Sequence, residues 1–182
     1  MKRCFWVNMK NPLYVAYHDN EWGVPKYDDH ELYELLILEM FQAGLSWETI
    51  LNKRSNFRRA FDNFDVEKVL QYDDKKIEEL MHDKGIIRNR SKIVASINNT
   101  KVFVDIQKEF GSFANFIWGY TNNSVIYMDS KVTSNELSDR ISKELQKRGM
   151  KFVGTVIIYS YLQAIGVINS HDESCFMRNN DR

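Results

Sequence analysis

Proline and cysteine are nearly missing from this sequence, each occurring twice in 182 residues. Both prolines, Pro12 and Pro25, fall in the first 25 residues, so the rest of the chain is free to form long helices. Two cysteines, one near each end, are too few for a small disulfide-built scaffold. No apolar run approaches the roughly 20 residues that span a bilayer. The start of the chain, MKRCFWVNMK, has no apolar signal core. A cytoplasmic protein with no membrane partner is expected. Net charge is missing as well: 25 Lys and Arg balance 25 Asp and Glu, which gives no global pull toward nucleic acid.

What is present reads as one compact domain. Hydrophobic residues make up 43% and charged residues 27%, an ordinary globular composition. Apolar spacing and cap residues predict an all-α fold, with helices near 29–43, 47–61, 65–71, 73–83, 88–109, 112–119, 134–148 and 153–165. Thr133 and Glu136 have capping-box spacing at the start of the seventh. Only 124–132 has strand character, and it reads as a loop. Basic residues cluster in GIIRNRSK (85–92) and KELQKRGMK (143–151), which as charge runs read first as solvated faces.

Three features carry chemistry. In LYELLILEMFQAGLSW (32–47), Glu39 shares a helical stripe with Leu32, Leu35 and Leu36, a position where a carboxylate is costly unless it has a partner. Trp6, Trp22, Trp47, Tyr14 and Tyr17 crowd the same end of the chain. Aromatic rings beside a carboxylate suit a flat cationic heterocycle, although each ring taken singly also fits a core. Cys4, His18, His171 and Cys175 would close a tetrahedral zinc site if the termini meet. A Cys4–Cys175 disulfide or two unrelated buried thiols are the other readings. His30 and His82 lack such neighbours and read as surface residues. In LQKRGMKFVGT (145–155), Gly149 suits a left-handed helix end. Gly154 would let backbone approach a ligand, and Lys147, Arg148 and Lys151 stand beside it.

Taken in order, YHDNEWGVP, QAGLSW, GIIRNRSKI, KRGMKFVGT and the Cys4, His18, His171, Cys175 set resemble bacterial 3-methyladenine DNA glycosylase I. The resemblance implies a single helix-hairpin-helix glycosylase domain over 1–182, with two helical lobes and a cleft between them. It further implies a monomer that acts on alkylated double-stranded DNA, flips out 3-methyladenine and releases it as the free base. By resemblance, Glu39 reads and assists departure of the base, Trp47 stacks on it, and Tyr14, Tyr17, Trp6 and Trp22 line the pocket. Gly44 and Leu45 fill the gap in the duplex, while Gly149, Lys151, Gly154 and Thr155 grip DNA. One structural zinc sits on Cys4, His18, His171 and Cys175. Asp172 reads as part of the zinc loop, not as a catalytic acid. Two other classes compete. One is a zinc-stapled damage-binding module without chemistry. The other is a zinc hydrolase, which needs an open metal position that a four-ligand set does not leave.

Overall fold

The computed structural model describes residues 1–178. Nine α-helices are found among them: α1 (Pro12–Asn20), α2 (Asp29–Gln42), α3 (Trp47–Ala60), α4 (Val66–Val69), α5 (Asp74–His82), α6 (Arg90–Phe110), α7 (Phe113–Gly119), α8 (Glu136–Lys147) and α9 (Thr155–Ala164). The expected helices are present, with shifted ends.

Two sequence expectations need correction, and one helix lies outside the expected set. Pro12 starts α1 at its first turn, where the missing N–H costs nothing, and Asn11 caps that helix. The capping box of α8 is built by Asn135 and Ser138, not Thr133 and Glu136; each side chain bonds the other's backbone N–H at 2.9 Å. The 124–132 segment is not all loop. Ile126–Tyr127 forms β1 and pairs in parallel with β2, Ile168–Asn169.

Helix α2 explains the architecture. Every residue from Leu32 to Phe41 is buried, so the helix is enclosed on all sides rather than amphipathic. It packs against α3, α6, α7 and α9. Its two central carboxylates are therefore forced inside. Glu34 is matched, accepting from Arg54 Nε at 2.6 Å and Arg58 Nε at 3.0 Å. Glu39 is not matched in this way.

Two buried ammonium groups lock the frame around α2. Lys26 Nζ donates to the carbonyls of Glu21, Val24 and Ala164 at 2.6, 3.1 and 3.2 Å, joining the segment after α1 to the end of α9. Gly166 lets that join close, because a Cβ there would lie 2.3 Å from the Val24 carbonyl carbon. Lys92 Nζ donates to Phe41 O at 2.8 Å and Ala43 O at 2.6 Å, which satisfies the open carbonyls at the end of α2. Lys92 thus departs from the solvated reading of its basic run, while Arg88 and Arg90 are exposed. His30 and His82 are exposed, as expected.

Candidate base-binding cavity and metal cluster

A cavity of about 220 Å3 opens beside the C-terminal half of α2. Helix α1 contributes Tyr14 and Tyr17, the flanking segments Trp6 and Trp22, and the first turn of α3 Trp47. Glu39 and Gln42, one turn apart on α2, form the polar wall. All six residues the sequence assigned to this cleft are brought together. The rings pack on one another: Trp6 lies 4.8 Å from Trp22 and 5.3 Å from Tyr14, and Tyr17 lies 5.3 Å from Trp47, between centroids.

Four buried polar atoms lining this cavity make no hydrogen bond among the described residues: Glu39 Oε2, Gln42 Oε1, Trp47 Nε1 and Tyr159 Oη of α9. Buried groups in folded proteins are almost always paired, so a cluster of orphans around one cavity marks a site completed by something else. Burial pushes the Glu39 carboxyl well above its ordinary value, with no neighbouring cation to oppose it. Burial, together with the nearby Glu48 and Glu39, pushes the Tyr14 phenol up to about 12. A cation entering the cavity would reverse the balance at Glu39 and favour the carboxylate.

Behind the aromatic wall, Cys4, His18, His171 and Cys175 are all buried, with ligand atoms within 4.8 Å of one another. Both cysteines are free thiols, which removes the disulfide reading. Cys4 Sγ to His171 Nδ1 is 3.3 Å, Cys175 Sγ to His18 Nε2 is 3.4 Å and Cys175 Sγ to His171 Nδ1 is 3.6 Å. A tetrahedral zinc with bonds of about 2.0–2.3 Å needs ligand edges of about 3.5 Å, close to these three distances, so the four side chains could hold a metal ion.

Hydrogen bonds fix both histidine tautomers in the form a metal requires. The Cys4 N–H points at His18 Nε2 at 3.4 Å, leaving Nδ1–H to donate to Asp19 at 2.8 Å. His171 Nε2–H donates to Trp22 O at 3.2 Å, which turns Nδ1 toward the thiols. Burial lowers both rings, His171 to about 4, which favours the neutral imidazole that a metal binds. Asp172 Oδ2 accepts from the Phe5 N–H at 2.9 Å, tying the C-terminal loop to the N-terminal segment and away from the cavity. The cluster reaches the cavity through rings: His171 lies 4.5 Å from Trp22, and His18 lies 5.3 Å from Trp6.

The turn between α8 and α9 contributes no residue to the cavity lining, whose α9 part begins at Val156. Gly149 takes the expected left-handed conformation (φ 99°). Asn99 clamps Lys151, accepting from its N–H and donating to its carbonyl, both at 2.8 Å. Gly154 precedes α9 without a capping side chain, and a Cβ there would meet nothing in the fold. No internal contact requires glycine at this position. Thr155 begins α9, and its hydroxyl lies 2.8 Å from Ser138 Oγ. Gly44 and Leu45 are exposed between α2 and α3.

The sequence reading missed part of the cavity wall. Val156, Tyr159, Ser160 and Gln163 of α9 belong to it, along with Ser130, Val132 and Thr133. The α9 residues fall at i, i+3, i+4 and i+7, one helical face. Ser160 and Gln163 in an otherwise apolar helix were the visible signal.

Fold and cavity together define a class: a helical protein with a cavity walled by aromatic rings and a buried carboxylate. The chain belongs to the methyladenine glycosylase family, whose model matches residues 6–178. It is 45% identical over 180 residues to DNA-3-methyladenine glycosylase 1 of Escherichia coli (strain K12), covering 96% of each chain. It is 38% identical over 178 residues to DNA-3-methyladenine glycosylase of Haemophilus influenzae Rd, covering 95% of this chain and 96% of that one. A crystal structure of a substituted 3-methyladenine DNA glycosylase I in complex with 3-methyladenine superposes with a TM-score of 0.93. It is 35% identical, with 98% of both chains covered.

Proposed function

We propose that this protein excises 3-methyladenine from alkylated double-stranded DNA by hydrolysing the bond between the base and its sugar. The observation that carries the reading is the cavity in which Glu39 Oε2, Gln42 Oε1 and Trp47 Nε1 are buried without partners between aromatic faces. Methylation at N3 gives the purine a positive charge. Rings attract that cation through their faces, and a carboxylate accepts from its exocyclic N–H.

The damaged nucleotide turns out of the stack into the cavity. Trp47 stacks on the base, Tyr14 and Tyr17 close the sides, and Trp6 and Trp22 line the pocket beside Tyr14. Glu39 reads the amino edge and stabilises the positive charge that spreads onto the sugar as the bond breaks. The C1′–N9 electron pair goes to the ring and neutralises it, so the leaving group needs no proton. Water adds to C1′ and loses its proton, leaving an abasic sugar and free 3-methyladenine. Gly44 and Leu45 occupy the vacated position in the duplex. Gly149, Lys151, Gly154 and Thr155 hold the phosphate backbone through open N–H groups and charge.

Cys4, His18, His171 and Cys175 hold one structural zinc, which joins the two ends of the chain and leaves no open position for chemistry. The domain acts as a cytoplasmic monomer of the helix-hairpin-helix type, with a helical lobe on either side of the cleft. No helix among the described residues is long and apolar enough to cross a membrane.

The test is chromatography of bases released from methylated duplex DNA by the purified protein. Free 3-methyladenine is expected, with 7-methylguanine left in place. A folded, zinc-loaded sample that binds the DNA and releases nothing would make the protein a damage-binding module.

A further inference from the structure

The orphaned atoms of the cavity are not all explained by stacking and a single carboxylate. Gln42 Oε1 is fully buried and has no partner among the described residues, as is Glu39 Oε2 one turn earlier on α2. Both residues line the same cavity. Two acceptors on one helix face therefore stand together, each lacking a donor.

The backbone around Gln42 is fixed with unusual care. Lys92 Nζ binds the carbonyls of Phe41 and Ala43, the residues on either side, at 2.8 and 2.6 Å. Gln42 O itself accepts from the Leu45 N–H at 2.6 Å. Three consecutive carbonyls at the end of α2 are thus tied down, which sets the direction in which the Gln42 side chain leaves the helix. Such preorganisation is what a specificity contact requires.

We infer that Gln42 is a specificity-determining residue that acts with Glu39 as a pair of acceptors for the two N–H groups of an adenine 6-amino group. The inference rests on the excision reading above and deepens it. An adenine presents two donors at position 6. A guanine presents a carbonyl oxygen there, which would face two acceptors and leave all three atoms unpaired. A site built to hydrogen-bond a substrate N–H rejects the analogue lacking it far more strongly than an apolar pocket does. Gln42 thereby selects 3-methyladenine over 3-methylguanine, although both carry the same methyl group and the same charge.

The test compares the two bases within one sample. Methylated duplex containing both lesions is digested under single-turnover conditions, and the released bases are quantified together, so the ratio does not depend on the active fraction of the protein. Gln42→Met keeps length and apolar packing but removes the acceptor, and Gln42→Ala serves as the second variant. In either, the ratio of 3-methyladenine to 3-methylguanine release falls about tenfold, the worth of roughly one hydrogen bond. The fall comes from slower adenine excision with guanine release held or raised. An equal fall for both bases, or an unchanged ratio, would overturn the assignment.

A second arm uses no chemistry. Titration of wild type and variants with free 3-methyladenine and 3-methylguanine, followed by tryptophan fluorescence, gives the same preference as a ratio of affinities. If wild type released neither base from DNA, excision would fall as the function, and this arm alone would decide Gln42. A preference for 3-methyladenine that narrows about tenfold in the variants supports the acceptor pair. One that does not narrow refutes it.

Discussion

His18 of the first helix and Cys175 near the opposite end of the chain meet at 3.4 Å, across 157 residues of sequence. A metal ion held at that point would close the chain into a loop and hold the wall that carries Trp6 and Trp22. Cys175→Ala, or treatment with a strong chelator, is therefore expected to release one zinc per chain and to lower Tm by more than about 10 °C. Metal analysis with thermal melting checks both. Full stability after complete loss of metal would contradict the structural role.

Glu39 carries a stability cost that depends on pH. Burial raises its folded-state pKa well above the ordinary carboxyl value of 4.5. Above pH 4.5 the folded state therefore holds a proton that the unfolded state has released. Stability contributed by the neutral form is complete at low pH and is lost as pH rises toward the folded value. Glu39→Gln has no such proton to hold. The variant is expected to melt higher than wild type, with a gap that widens from pH 5 to pH 8. A constant gap across that range would mean that the carboxyl is not held neutral.

Trp47 lines the cavity and is 9% exposed. Stacking of a base on an aromatic side chain contributes about 1–3 kcal/mol. Trp47→Ala is thus expected to slow excision by about 5- to 150-fold, and Trp47→Phe to recover most of the loss. Single-turnover rates on one methylated duplex measure both.

Much of this site could be read from residue order. Glu39 was conspicuous because a carboxylate interrupts a leucine-rich helix, and the tryptophans because they crowd one end of the chain. The full enclosure of α2 was less legible. Heptad-like spacing suggested one apolar stripe, whereas four neighbouring helices cover the whole cylinder, a tertiary fact with no local signature. Helix α1 was missed for the opposite reason: proline breaks a helix interior yet also begins a helix. The α9 wall was hidden because its apolar face looks like ordinary core until Gln163 and Ser160 are seen to share it. Lys92 resembles its exposed neighbours Arg88 and Arg90, and only the nearby end of α2 gives it a different role.

Lys151 sits at the turn before α9, held by Asn99 through both backbone groups, which leaves its exposed side chain free for phosphate. Lys151→Ala is expected to weaken duplex binding uniformly across sequences and to reduce the slope of log affinity against log salt by about 1. Affinity for free 3-methyladenine should not change. Salt titrations of duplex binding test the first outcome. A loss of free-base affinity instead would place Lys151 in the cavity and not on the backbone.

The most direct test of the account is the reaction of Glu39→Gln. Its binding to alkylated duplex and its release of 3-methyladenine are measured side by side with wild type under single-turnover conditions. The account predicts a folded, zinc-loaded variant that still binds the damaged duplex but releases base at least about a hundredfold more slowly, the scale of removing one preorganised electrostatic contact. Wild-type rates of release would show that the buried carboxylate of α2 is not completed by the substrate.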